Sequence, residues 1–143
     1  PYNMTEAVKY YRMAAKKGNP SAMNNYGYIL WKGEGIEANS AEAIEYFKMA
    51  INKGNPRAMS NYGCMLRRGE GIEANSAEAI KYFKMAMDKG NSNAMYFYGD
   101  MQLKGEGVEA NVVEAIKYFK MSAKNGNKLA INKLEAMKYN LSF

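Results

Sequence analysis

Glycine recurs in this chain on a fixed period of 36 residues. Gly18, Gly54, Gly90 and Gly126 mark one slot, each followed by asparagine. Gly27, Gly63 and Gly99 mark a second slot, Gly33, Gly69 and Gly105 a third, and Gly35, Gly71 and Gly107 a fourth, which accounts for all 13 glycines. Such a period constrains the fold more than any local motif. Each unit must bury its apolar face on its neighbours rather than in one central core.

Each unit reads as two helices. Helix A follows Asn19-Pro20, an N-cap asparagine with proline in the first turn, where its missing N–H is not needed. Gly18 just before it suits the left-handed end of the preceding helix. Ala22, Met23, Tyr26, Gly27 and Leu30 then share one face at helical spacing, and Gly33 ends the helix. After a short loop, helix B starts at Asn39 with Glu42 three residues on. This capping-box pattern recurs at Asn75/Glu78, Asn111/Glu114 and Asn3/Glu6. Ala43, Ile44, Tyr46, Phe47, Met49 and Ala50 supply its apolar side.

Period-two alternation is absent, so the fold class is all-α, with about eight helices. The units run as a half repeat (1–18), full repeats 19–54, 55–90 and 91–126, and a terminal capping helix in 127–143, the end helices falling near 4–17 and 128–139. Glu135 stands where earlier A helices carry glycine. A mid-helix glycine costs about 1 kcal/mol relative to alanine and is kept for close helix approach, so a charge there marks an end of the array. The first helix has no helix A before it, which predicts that the array continues upstream of Pro1.

Composition removes several function classes. With no histidine there is no His-based triad, metal ligand or general base, and one cysteine permits neither a disulfide framework nor a thiolate metal cluster. No cofactor or metal is expected, and no apolar run approaches the ~20 residues of a membrane span. The net charge of +6 permits an acidic partner without naming one. The single cysteine leans towards a reducing, cytoplasmic compartment.

The run Ala22…Tyr26-Gly27…Leu30…Gly33-Glu34-Gly35-Ile36…Asn39…Ala43…Tyr46…Met49-Ala50…Gly54 resembles the Sel1-like repeat, three times over and across essentially the whole chain. Tyr26, Tyr62 and Tyr98 replace that family's usual leucine, and Gln102 sits at the slot of Leu30 and Leu66, so the third unit should pack or bind differently. The resemblance implies a right-handed α-solenoid, related to tetratricopeptide arrays, that serves as a non-enzymatic scaffold or adaptor for proteins. The lone Cys64 sets the chain apart from the family's cysteine-rich bacterial branch.

Glu34, Glu70 and Glu106 sit between the paired loop glycines, where they would repel a phosphate, so these loops read as structural turns. Glu37, Glu73 and Glu109 read as solvated, because a catalytic pair belongs at one place rather than in triplicate. A basic stripe on the B helices (Lys9, Arg12 and Lys16; Lys81 and Lys84; Lys117, Lys120 and Lys124) supports an alternative role in binding nucleic acid or another polyanion, although it lacks interleaved aromatics for base stacking. The triplets Asn3-Met4-Thr5 and Asn140-Leu141-Ser142 are weak glycosylation patterns.

Comparison between units is the most informative signal. Helix A keeps its packing slots and varies at Ser21/Arg57/Asn93, Asn24/Ser60/Tyr96, Tyr28/Cys64/Asp100 and Trp31/Arg67/Leu103, which share one helix face. The family resemblance places that face on the concave surface. A partner peptide or helix carrying acidic and apolar groups is expected there, anchored by Trp31, Arg57, Arg67 and Tyr96, with Asn24, Tyr28, Ser60, Cys64, Asn93 and Asp100 beside them. Cys64 reads as a small filler rather than a reactive thiol.

Overall fold

Asparagine N-caps set the helix boundaries. In the computed structural model, which describes residues 4–139, eight helices and no strands are found among the described residues. They are α1 (Met4–Lys16), α2 (Pro20–Lys32), α3 (Ser40–Asn52), α4 (Pro56–Arg68), α5 (Ser76–Asp88), α6 (Ser92–Lys104), α7 (Val112–Lys124) and α8 (Lys128–Ala136). The even-numbered helices are of type A and the odd-numbered of type B. Asn19, Asn55, Asn91 and Asn127 each accept a hydrogen bond from the backbone N–H three residues on, at 2.9–3.1 Å. Each such cap stabilises its helix by about 1 kcal/mol relative to alanine.

The capping boxes form only by half. Asn39, Asn75 and Asn111 accept from the N–H groups of Glu42, Glu78 and Glu114 at 3.0–3.1 Å. Their own backbone N–H groups donate instead to the carbonyls of Leu30, Leu66 and Gln102 at 2.8–2.9 Å. Helix A thus supplies the acceptor that the glutamate was expected to provide, and this bond pins the start of helix B to the end of helix A. Asn3 and Asn140 lie outside the described residues, and with them the Asn3/Glu6 box and both glycosylation triplets.

The mid-helix glycines are required by contact. A Cβ at Gly27 would sit 2.9 Å from the Phe47 ring, one at Gly63 2.6 Å from Phe83, and one at Gly99 3.0 Å from Phe119. All three phenylalanines are fully buried, and burial of each side chain stabilises by about 1.5–3 kcal/mol. The A and B helices of one repeat (α2 with α3, α4 with α5, α6 with α7) therefore pack backbone against ring, and each B helix then packs on the next A helix. Successive A helices also approach one another (α2 with α4, α4 with α6), which makes their row the inner side of the array.

Three details differ from the sequence reading. Helix α8 stops at Ala136 rather than 139, because Lys138 takes the left-handed conformation (φ 60°) and the Tyr139 N–H turns back to the Leu134 carbonyl. Met49 leaves the core with Met13 and Met121, all three exposed, whereas Met85 at the same slot of helix B stays half-buried against it. Gln102, at the slot of two leucines, is buried and its Oε1 has no hydrogen-bond partner among the described residues. Among the described residues no helix is long and apolar enough to cross a membrane.

Candidate functional site

The inner face of the A helices encloses a groove of about 810 Å³ running from Met4 and Tyr11 of α1 to Leu129 of α8. The structure brings Asn24, Tyr28, Trp31, Arg57, Ser60, Cys64 and Asn93 to its wall. Arg67, Tyr96 and Asp100 do not line it. The sequence reading missed Asn25, Asn61, Lys32 and Arg68, which also line it. Helical spacing was the available signal: Asn25 lies four residues after Ser21 and three before Tyr28, and Asn61 stands likewise between Arg57 and Cys64.

Within the groove, burial separates wall from handle. Trp31 is only 8% exposed. Its Nε1–H donates to Glu70 Oε2 at 2.8 Å, and Lys32 Nζ sits 3.8 Å over its ring centroid. Asn24 is buried and accepts from Asn61 Nδ2 at 2.8 Å, while Asn93 Oδ1 accepts from Asn127 Nδ2 at 2.7 Å. Cys64 is buried, and burial pushes its thiol up to about 11 despite Arg68, Arg67 and Lys32 nearby, so it stays a neutral filler at neutral pH. Tyr28 and Arg57 are exposed, and among the described residues no carboxylate lies within ion-pairing distance of Arg57.

Arg67 belongs to a second cluster. Its Nε and one terminal nitrogen hold both oxygens of Glu106, at 2.9 and 2.7 Å, and the same terminal nitrogen reaches Asp100 at 2.7 Å. Lys104 and Lys133 approach Asp100 at 3.2 and 3.5 Å. Burial pushes the Asp100 carboxyl up, but hydrogen bonds from Arg67 and Lys104 outweigh it and hold the group below the usual carboxylate range. Glu106 is lowered by its hydrogen bond from Arg67. Tyr96 packs on the rings of Phe97 and Phe119 at 5.5 and 5.6 Å. The anchoring role expected of Arg67 and Tyr96 thus meets side chains already engaged by the protein itself.

The loop glutamates explain both clusters. Glu70 receives Trp31 and Glu106 receives Arg67, each from a donor 39 residues earlier. The penultimate residue of one helix A is clamped by the Gly-Glu-Gly loop of the next repeat. The sequence pattern reads these glutamates as turn residues only. The available signal was that a turn requires the glycines but gives no reason for glutamate at all three copies.

On the outer side, stripe lysines cover tyrosine rings: Lys81 over Tyr82, Lys84 over Tyr98 and Lys117 over Tyr118, at 5.4–5.8 Å. Each tyrosine is also in an edge-on tyrosine pair. Their faces are therefore engaged within the protein.

Comparison with known proteins agrees with this architecture. The family model described as Sel1 repeat matches residues 1–19, 20–55, 56–91 and 92–127. A Sel1 repeat protein from Oxalobacter formigenes is 34% identical with a TM-score of 0.88, the match covering 92% of this chain and 53% of that one. A protective antigen of uropathogenic Escherichia coli with an SLR fold is 32% identical, TM-score 0.82, over 94% of this chain and 29% of its own. This chain thus spans about half the length of the first relative and under a third of the second. The cysteine-rich protein B of Helicobacter pylori, at 18% identity and TM-score 0.66, shares the fold. No curated protein matches the sequence. Four matched repeats, a solenoid of helix pairs and relatives above 30% identity show that the chain belongs to the Sel1 repeat family, whose members are generally non-enzymatic helical scaffolds for protein–protein interaction.

Proposed function

We propose that this protein is an adaptor within a larger assembly and that its concave groove holds a segment of a partner protein carrying acidic and apolar groups. The exposed, unpaired Arg57 in a groove that also presents Lys32 and Arg68 is the observation that carries this reading. Arg57 reads the partner's carboxylate. Tyr28 offers an exposed ring beside it, and Trp31 serves as a rigid wall because Glu70 holds its indole. The amides of Asn25, Asn61 and Asn93 offer donors and acceptors to a peptide backbone. Arg67 and Asp100 stand outside the groove's lining and are taken up by their own ion-pair cluster.

A displayed random-peptide library provides the test. Acidic peptides with an apolar residue should be enriched, and Arg57→Glu or Tyr28→Ala should lower their affinity at least about tenfold, since charged and aromatic anchors dominate such interfaces. Selected peptides that bind the Arg57→Glu protein equally well would remove the groove from consideration. Affinity for nucleic acid that falls steeply with salt and is lost on neutralising Lys84 and Lys117 would favour the outer stripe instead.

A further inference from the structure

The groove floor is laid out in levels along α4. Arg57, Asn61, Cys64 and Arg68 follow one another by four, three and four residues, so they share one face of that helix, and all four line the groove. Helix α2 repeats the same levels beside it, and the bond from Asn61 Nδ2 to Asn24 Oδ1 at 2.8 Å holds the two helices in step. The first level carries the exposed, unpaired Arg57, and the second carries Asn24, Ser60 and Asn61. The third sets the exposed Tyr28 ring beside the buried, neutral Cys64. At the fourth level the charges are already matched. Lys32 Nζ sits 3.8 Å over the Trp31 ring, Arg68 meets Glu70 at 3.4 Å, and Glu34 lines the groove just past the end of α2.

The second level decides the form of the occupant. Ser60 is 3% exposed and Asn24 5%, yet among the described residues the Ser60 hydroxyl and the Asn24 amide nitrogen have no hydrogen-bond partner. Both side chains line the groove, and buried polar groups left unpaired are costly, so the occupant must supply their partners. A helical segment has its backbone groups paired internally, whereas an extended one offers an N–H and a C=O at every residue. We infer that the occupant is an extended segment whose acidic and apolar side chains stand three residues apart, the acid on Arg57 and the apolar group on Tyr28 and Cys64. This assignment rests on the groove being a peptide site and adds the spacing that the site reads. Seven helical residues separate Arg57 from the level of Cys64, about 10 Å at 1.5 Å per residue. A polyproline-type chain advances about 9 Å in three residues and returns to the same side at each third residue. Both anchors then face the floor, and the two residues between them pass over Asn24, Ser60 and Asn61.

Labelled peptides of one composition, with Glu and Leu one, three or seven residues apart in a serine and alanine background, provide the test. Each spacing is made in both chain directions, and affinity is read by fluorescence polarisation. The three-residue spacing should bind at least about tenfold tighter than the other two, the gain from engaging a second anchor. Tyr28→Ala should erase that preference, and Ser60→Ala should weaken the three-residue peptide by about threefold without changing the order of the spacings. A helical occupant would need seven residues to cover the same distance, so tightest binding at seven overturns the inference. Equal affinity at all three spacings, still lowered by Arg57→Glu, also overturns it and leaves the peptide reading standing. Peptides of every spacing that bind the native and Arg57→Glu proteins alike, or bind neither, overturn both.

Discussion

The last turn of helix A meets the following Gly-Glu-Gly loop twice along the inner face, with different partners each time. In the N-terminal half, the Trp31 indole donates one hydrogen bond to Glu70, and the groove above it stays open between Tyr28 and Arg57. In the C-terminal half, the Arg67 guanidinium bridges Glu106 and Asp100, and two lysines close around the same aspartate. One clamp therefore supports two surfaces. At Glu70 the neutral indole shares the carboxylate with Arg68 at 3.4 Å and leaves Arg57 unpaired, while at Glu106 the charged donor consumes its charge within the protein. A variable slot facing a groove is not by itself a binding residue, because a repeat can vary there to change its internal partner.

The largest test of that contrast is Arg67→Ala. It leaves Asp100 nearly buried without its main counter-charge and should destabilise by about 3 kcal/mol, the lower end for a broken buried pair because Glu106 can rehydrate. Urea unfolding reads the loss. A change below about 1 kcal/mol would mean that Lys104 and Lys133 alone carry the aspartate.

Acid should act on the same half. Asp100 and Glu106 have folded pKa values below their unfolded values near ~4, so between the two the unfolded chain binds more protons. Their contribution is complete above about pH 5 and is lost as pH falls through the lowered folded values. Unfolding midpoints taken stepwise from pH 6 to 2.5 should drop more for the native chain than for Arg67→Ala, and parallel curves would contradict the assignment.

Trp31→Phe removes the indole N–H and keeps most of the ring. It should cost only about 1 kcal/mol, because the partly exposed Glu70 recovers water. The smallest effect on stability belongs to Arg57→Ala, expected within about 0.5 kcal/mol because nothing in the protein depends on it. Its effect should appear instead in peptide affinity, measured by fluorescence polarisation. A stability loss as large as that of Arg67→Ala would show that Arg57 is structural too.

Much of the fold was legible because its determinants are local. N-cap asparagines, left-handed glycines and glycine facing phenylalanine recur at fixed spacing, and each works within one turn or one helix pair. Only half of each capping box was legible, since the backbone N–H of Asn39 finds its acceptor in Leu30 through the fold of the loop. The face of the groove was readable too, because Asn24, Tyr28 and Trp31 follow helical spacing. The separation of Arg57 from Arg67 was not. Both are arginines on one face of one helix, distinguished only by carboxylates that the next repeat brings within 3 Å of Arg67.

The 36-residue period by itself determined that the chain is a stack of helix pairs, that its glycines hold slots rather than loosen the chain, and that one face of helix A varies. Tertiary structure alone decided which varied residues stay available to a partner. Helical period fixes the direction of a side chain relative to its own axis. Whether a charge is free or neutralised depends on groups 33 to 39 residues away, which only the stacking of repeats brings into contact.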